Sequence, residues 1–178
     1  MKGVRAAARY AKAFLQLAKE QNATQAVIED ARMISRIVTE SKELHLMLNS
    51  PLIKADKKGL ALNKVFEGKV NGLTLNLINQ VVKQNRENIL PTIADQMIAQ
   101  YNEANKIASV SVTTAIPLDA SVKADLIGKL KEAYQLTDVE LEEKIDTDLI
   151  GGMVLRMGDK QLDASIRRQL NDIKKELV

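Results

Sequence analysis

The spacing of apolar residues changes near residue 106, and this change constrains the fold more than any other feature of the sequence. Before it, apolar residues recur every three or four positions, as Val4, Ala7, Ala11 and Phe14 do at the start. Such spacing is typical of amphipathic helices. Turn-forming residues divide the first hundred residues into about six segments of this kind, and helices this short are stable only when packed together. The sequence therefore predicts a six-helix bundle.

Beyond residue 106 the apolar residues alternate with polar ones. Val110 and Val112 are separated by Ser111, and a second alternating run covers residues 139–145. This period of two, with β-branched residues enriched, indicates β-strands. A third strand is predicted at residues 153–157, and helical spacing returns after Pro117 and at the end of the chain. We predict an α+β protein of two domains, an N-terminal six-helix bundle at residues 1–105 and a small mixed α/β domain at residues 106–178.

The composition removes most kinds of catalytic and metal site. The chain has no cysteine, a single histidine (His45) and five aromatic residues, which excludes disulfides, zinc–thiolate sites and sites with several imidazoles. Glycine-rich phosphate loops and hydrolase nucleophile motifs are also missing. No apolar run approaches the roughly 20 residues of a membrane span. We therefore expect no catalytic, cofactor or metal site and no direct membrane insertion.

Two groups of acidic residues are the remaining candidates for chemistry. Glu140 and Glu142 occupy the face of a predicted strand opposite its apolar residues, which is usually a solvated face. Asp146 and Asp148 lie in the following loop, where turn formation explains them better than a metal does. A metal-dependent hydrolase using Asp146, Asp148 and Asp159 is an alternative for which the sequence supplies no ligand set.

The net charge of the chain is small, and neither part of the chain is strongly charged. The formal net charge is +3, with 15 basic and 10 acidic residues in residues 1–105 and 11 basic and 13 acidic residues in residues 106–178. Nucleic-acid-binding domains are normally strongly basic, and stacking surfaces carry aromatic residues. We expect no nucleic-acid partner, although a ribosome- or RNA-associated helical adaptor remains the alternative function.

Residues 145–170 contain a dense motif: a glycine pair, an apolar strand with an arginine, Gly-Asp, a short strand, Asp-small-Ser and a basic pair. Its residues are Gly151, Gly152, Arg156, Gly158, Asp159, Asp163, Arg167 and Arg168. This motif resembles the signature of the delta subunit of F-type ATP synthases, called the oligomycin-sensitivity-conferring protein in mitochondria. Residues 8–14, 49–53 and 85–91 resemble other parts of that family. Gln161 and Ala164 depart from its pattern, without altering the assignment.

The resemblance implies a mechanical function. Members of the family are non-catalytic connectors in the peripheral stalk, or stator, which hold the catalytic head so that proton-driven rotation is coupled to ATP synthesis. The helical domain is expected to bind the N-terminal segments of the alpha subunits, and the C-terminal domain the C-terminal ends of the b subunits. We expect no cofactor, and a location on the cytoplasmic face of a bacterial inner membrane as part of the complex.

The alpha-subunit interface is predicted on the first helix and on residues 73–84, because short amphipathic helices leave grooves for a partner helix. Residues 73–84 carry two apolar stripes: Leu73, Leu77 and Val81 form the first, and Leu75, Ile78 and Val82 form the second. A helix that is apolar on two faces in a small bundle indicates that one face meets a partner. The predicted interface residues are Ala7, Tyr10, Ala11, Phe14, Leu75, Ile78, Asn79 and Val82. The same spacing is typical of core residues, so about half of the set is expected inside the bundle.

The C-terminal motif also has a purely structural interpretation. Gly158-Asp159 is predicted to form a hairpin turn, and Gly151-Gly152 a bulge or a close backbone approach. Asp163 is predicted to cap the last helix, and Arg156 to pair with Asp159 or Asp163. Contact of Arg167 or Arg168 with the stalk is a further hypothesis.

Overall fold

Helices form the first part of the chain and a sheet flanked by helices forms the second, which confirms the predicted α+β class. The structure is a computed structural model that describes residues 2–176, with side chains for residues 3–170 and residue 172. The chain divides into two compact units, residues 1–101 and residues 102–178.

The first unit contains six α-helices and one 3₁₀ turn, and the last of these helices continues into the first residues of the second unit. The helices are α1 (Lys2–Glu20), α2 (Thr24–Glu40), α3 (Lys42–Asn49), α4 (Ala55–Phe66), α5 (Gly72–Lys83) and α6 (Leu90–Ala104), and the 3₁₀ turn is Glu87–Ile89. Local hydrogen bonds help to set where the helices begin. At the start of α5, the Asn71 side chain accepts a hydrogen bond from Leu73 N at 2.9 Å. Pro91 lies in the first turn of α6, where its missing N–H is harmless.

The first unit has a large aliphatic core. Among the described residues, 21 apolar side chains are buried in one cluster to which all six helices contribute. Phe14 and Phe66 are its only aromatic members. Four alanines of α1 and α2 let these helices approach closely: Ala7, Ala11, Ala18 and Ala31.

Two buried polar groups connect helices across this core. Lys58 Nζ of α4 donates to Glu87 Oε1 at 2.7 Å and to Leu48 O at 2.9 Å, with both charged side chains buried. Asp30 of α2 accepts hydrogen bonds from Asn71 N at 2.8 Å and Thr74 Oγ1 at 2.6 Å. The first group joins α3, α4 and the 3₁₀ turn, and the second fixes the beginning of α5 against α2.

The second unit is a four-stranded sheet with one helix on it and one after it. The strands are β1 (Ile107–Thr114), β2 (Asp138–Ile145), β3 (Gly152–Met157) and β4 (Lys160–Ser165), in the order β2-β1-β3-β4. Strands β1 and β2 are parallel and are joined through α7 (Ala120–Tyr134), whereas β1, β3 and β4 are antiparallel neighbours. Helix α8 (Ile166–Glu176) follows β4 directly.

The core of the second unit is small. Only four apolar side chains of its described residues are fully buried: Val110, Val112, Val139 and Leu155. Leu126, Ile127 and Leu130 of α7 pack against them but stay partly exposed. The opposite face of the sheet is polar, with Ser111 opposite Arg156 and Arg156 opposite Gln161.

The buried Lys58–Glu87 pair yields the first prediction. Replacing Lys58 by Met leaves the Glu87 carboxylate buried without its cation and should lower the free energy of unfolding by about 3–5 kcal/mol. The double variant Lys58→Met/Glu87→Leu should recover most of that loss. The measurement is urea denaturation followed by the helical circular dichroism signal. Wild-type stability in Lys58→Met would contradict the role assigned to the pair.

Candidate functional site

Five of the eight predicted alpha-interface residues lie in the core of the first unit. They are Ala7, Ala11, Phe14, Ile78 and Val82. In the second apolar stripe of α5 (Leu75, Ile78 and Val82), Ile78 and Val82 are therefore buried. A Cβ built on Gly59 of α4 would lie 3.1 Å from Val82 Cγ1, so α4 covers this end of the stripe. Tyr10, Leu75 and Asn79 remain partly exposed.

Tyr10 belongs to a basic groove, here called the arginine groove, beside α1. The groove has a volume of about 470 Å³ and is lined by Arg5, Ala6, Arg9, Tyr10, Ala13 and Arg86. Arg86 Nη1 donates to Tyr10 Oη at 3.2 Å, and its guanidinium lies 5.9 Å from the ring centroid. Ala6, Tyr10, Ala13 and the exposed Leu17 follow the 4, 3, 4 spacing of a helix face. They form a partly exposed stripe next to the core-facing stripe of α1.

Asn79 lies in a different groove, between α4 and α5. This groove has a volume of about 790 Å³, and its lining includes Asn63, Asn76, Asn79, Gln80 and the exposed Leu60. It shares no lining residue with the arginine groove. Tyr10 and Asn79 therefore line two separate grooves of the first unit.

The glycines of the C-terminal motif have backbone functions. Gly152 has φ +77°, and a Cβ there would lie 2.3 Å from Ala164 O of the neighbouring strand. Gly151 O accepts a hydrogen bond from Ile166 N at 3.0 Å. Gly158 has φ +56° in the turn that joins β3 to β4. The predicted close approach and the predicted hairpin turn are both present.

Two predictions for this motif are wrong. Ser165, not Asp163, caps α8: its Oγ accepts a hydrogen bond from Arg168 N at 3.3 Å, because β4 continues to Ser165 before the helix begins. Asp163 Oδ1 instead accepts from Ser165 N at 2.9 Å, and hydrogen bonds from the Ser165 side chain and backbone lower the pKa of Asp163. Arg156 forms no ion pair within the described part of the chain, since the register directs it toward Ser111 and Gln161.

The basic pair and the loop aspartates stabilise the start of α8. Arg167 Nη2 donates to Asp148 O at 2.6 Å, and Arg168 Nε lies 3.7 Å from Asp172 Oδ2. Asp146 Oδ1 accepts from Asp148 N at 2.9 Å, which is the turn predicted for these aspartates. Over the residues that the structure describes, no three metal-ligating side chains come together.

The acidic side chains of β2 also have hydrogen-bond or ion-pair partners. Glu140 Oε2 accepts hydrogen bonds from Asn102 Nδ2 at 3.1 Å and Ser109 Oγ at 3.3 Å, so it is not the simple solvated residue that the alternation predicted. Glu143 accepts from Leu118 N and pairs with Lys123, and these contacts lower its pKa. Glu142 is exposed, as predicted, 3.5 Å from Lys144 Nζ.

The second unit also has an apolar groove that was not predicted from the sequence, here called the α7–β4 groove. Its volume is about 650 Å³, and its apolar lining includes Leu126, Leu130, Tyr134, Leu155, Met157 and Leu162. Leu162 is 61% exposed although it lies directly opposite the buried Leu155. Only the register reveals that Leu162 lies on the core-facing side of an edge strand, so no signal in the sequence alone pointed to this groove.

These surfaces define a class of protein. Each unit leaves apolar surface uncovered, and the residues described by the structure assemble neither a catalytic group nor a metal site. Within the described residues, no helix combines the length and apolarity that crossing a bilayer requires. Uncovered apolar surface on both units is typical of an adaptor subunit of a larger assembly.

Comparisons with known proteins identify the assembly. The family model for the ATP synthase delta (OSCP) subunit matches residues 6–177. The chain is 44% identical to the ATP synthase subunit delta of Christiangramia forsetii over 177 residues, covering 99% of this chain and 95% of that one. It is 35% identical to the ATP synthase subunit delta of Cytophaga hutchinsonii, covering 100% and 97%.

A solved structure shares the fold. A chain of the Toxoplasma gondii mitochondrial ATP synthase hexamer matches with a TM-score of 0.72 at 23% identity, over 96% of both chains. The chain belongs to the ATP synthase delta (OSCP) subunit family and is a non-catalytic component of the peripheral stalk of an F-type ATP synthase, the complex that couples proton transport to ATP synthesis. None of these matches supports the RNA-associated alternative.

The glycines of the motif yield the second prediction. Gly152→Ala places a Cβ against a backbone oxygen at positive φ, whereas Gly158→Ala meets no atom within 4 Å. The left-handed conformation alone should cost Gly158→Ala about 1–2 kcal/mol, and Gly152→Ala should lose clearly more. Urea denaturation of the two variants measures the difference. Equal losses would show that the close approach at Gly152 is unimportant.

Proposed function

We propose that the chain is a two-ended connector, whose first unit binds the N-terminal segments of the alpha subunits and whose second unit binds the C-terminal ends of the b subunits. A connector of this kind holds the catalytic head still while the rotor turns. As part of the complex, the chain lies at the cytoplasmic face of a bacterial inner membrane, and the bacterial sources of its relatives support this location.

One observation supports this proposal most strongly: each unit has its own uncovered apolar surface. In the first unit it is the stripe Ala6, Tyr10, Ala13 and Leu17. In the second it is the surface around the α7–β4 groove. Contiguous exposed apolar surface marks interaction sites, and a connector needs two of them on separate bodies.

The stripe on α1 suits a partner helix. Ala6 and Ala13 are small, so a helix can approach α1 closely, while Tyr10 and Leu17 supply larger contact area. The stripe lies next to the packed core, to which the predicted interface residues Ala7, Ala11 and Phe14 of α1 contribute. Among the residues predicted from sequence, Tyr10 and the partly exposed Leu75 and Asn79 are the ones that stay available for contact.

The third prediction tests the first unit. Ala13 is exposed, so Ala13→Glu should leave folding intact but place a buried charge in the interface and weaken binding of an alpha-subunit N-terminal peptide at least tenfold. Lys12→Glu is the matched control, because Lys12 is exposed on the solvent side of α1. Binding is measured calorimetrically with the full chain. Ile78→Asp is not a suitable test, since Ile78 is fully buried and the variant should unfold.

Equal affinity of Ala13→Glu and the wild type would contradict binding at the stripe. Absence of any binding by the wild-type chain would contradict the proposed partner itself. A thermal unfolding scan of each variant separates loss of binding from loss of structure.

A further inference from the structure

We infer that the arginine groove makes the first unit selective for the charge of the segment that binds it. Arg86 orients the Tyr10 ring, and Arg86, Arg5 and Arg9 together receive a carboxylate that the segment carries beside its apolar face. This inference rests on the proposed function, in which the segment is the N-terminus of an alpha subunit lying on the stripe of α1. The arginines add the chemical group by which that segment is recognised.

The groove concentrates positive charge that the described residues leave uncompensated. Its lining contains three arginines and no acidic residue. In the part of the chain that the structure describes, no carboxylate pairs with Arg5, Arg9 or Arg86. Arg5 and Arg9 are four positions apart on α1, a spacing at which like charges repel each other on a helix. An anion bound between the arginines would relieve this repulsion.

The backbone that carries Arg86 is fixed on both sides. Before it, Asn85 has φ +53° and closes the end of α5, where its N–H donates to Val82 O at 2.9 Å. Arg86 N itself donates to Val81 O at 3.0 Å. After it, the buried Glu87 begins the 3₁₀ turn. The Arg86 side chain therefore extends from an anchored point, so little backbone freedom is lost when a partner binds.

The Arg86 guanidinium holds the Tyr10 side chain through two contacts. Its Nη1 donates to Tyr10 Oη at 3.2 Å, and its central carbon lies 5.9 Å from the ring centroid. A guanidinium carries several N–H donors in a planar fork, and the hydrogen bond to Tyr10 uses only Nη1. Arg86 can therefore orient the Tyr10 ring and bind a carboxylate at the same time.

A carboxylate on the bound segment is the anion that fits this position. Ala6, Tyr10 and Ala13 line the groove and also belong to the stripe, so a helix lying on the stripe passes beside the arginines. An acidic side chain at the edge of its apolar face would reach the guanidinium groups, which bind carboxylates in a bidentate geometry. Complementary charge of this kind contributes specificity more than affinity.

The test measures binding of the full chain to two fluorescent peptides. The first covers the N-terminal segment of the alpha subunit from the same complex, and the second is the same peptide with its acidic residues replaced by the corresponding amides. The wild type should bind the amide peptide about three- to tenfold more weakly, because a carboxylate–arginine pair is lost. Added salt should weaken binding of the acidic peptide more than binding of the amide peptide.

Arg86→Gln tests the residue that both effects require. It should weaken binding of both peptides, because Tyr10 loses its support, and should reduce the ratio of the two affinities to about twofold or less, because a cation is lost. Arg36→Gln is the matched control, since Arg36 is exposed on α2 outside the groove, and it should bind both peptides as the wild type does. Arg86 is also exposed, and a thermal unfolding scan checks that both variants stay folded.

The outcomes separate charge selection from the proposed function. Equal affinity of the wild type for the two peptides would overturn the inference and leave the proposed function intact. Full discrimination by Arg86→Gln would also overturn it, because Arg86 would then have no part in selection. Absence of binding to either peptide would contradict both the inference and the proposed function. Self-association of the wild type that Arg86→Gln abolishes would place a second copy of the chain in the groove and overturn the inference.

Discussion

Burial of apolar side chains is the interaction on which the rest of this structure depends, and the two units achieve it to different extents. Among the described residues, the first unit encloses 21 apolar side chains from six helices, and buried polar contacts at Lys58 and Asp30 join the helices around them. In the described part of the second unit four apolar side chains are buried, and helix α7, which packs on them, has no buried residue. Apolar surface at α7 and at Leu162 therefore stays exposed.

This difference explains how a chain without catalytic residues serves in a rotary enzyme. A stalk component transmits force through contacts, so its work is done by surfaces rather than by nucleophiles or metals. The arginine groove and the α7–β4 groove, whose lining includes Lys129 and Lys160, both place positive charge beside apolar residues. Such charge contributes specificity and association rate more than affinity, while the apolar contacts supply most of the binding free energy.

The fold could be predicted from sequence because helix and strand periods are local properties of the chain. The failures concern what covers a residue after folding. The second stripe of α5 indicated a partner, but Ile78 and Val82 of that stripe are buried, and Gly59 of α4 allows Val82 to approach. Asp163 was predicted as a cap, but strand β4 continues to Ser165, and Ser165 caps α8 instead. The α7–β4 groove was missed because the pairing of Leu162 with Leu155 is visible only in the sheet register.

The most direct test of the two-ended connector is whether one full-length chain binds two peptides simultaneously, one from the N-terminus of the alpha subunit and one from the C-terminus of the b subunit. Sedimentation velocity with differently labelled peptides measures this in one sample. The account predicts a ternary complex in which both labels sediment with the chain, and in which each peptide binds equally well with or without the other. Displacement of one peptide by the other would mean a shared site and would contradict the account.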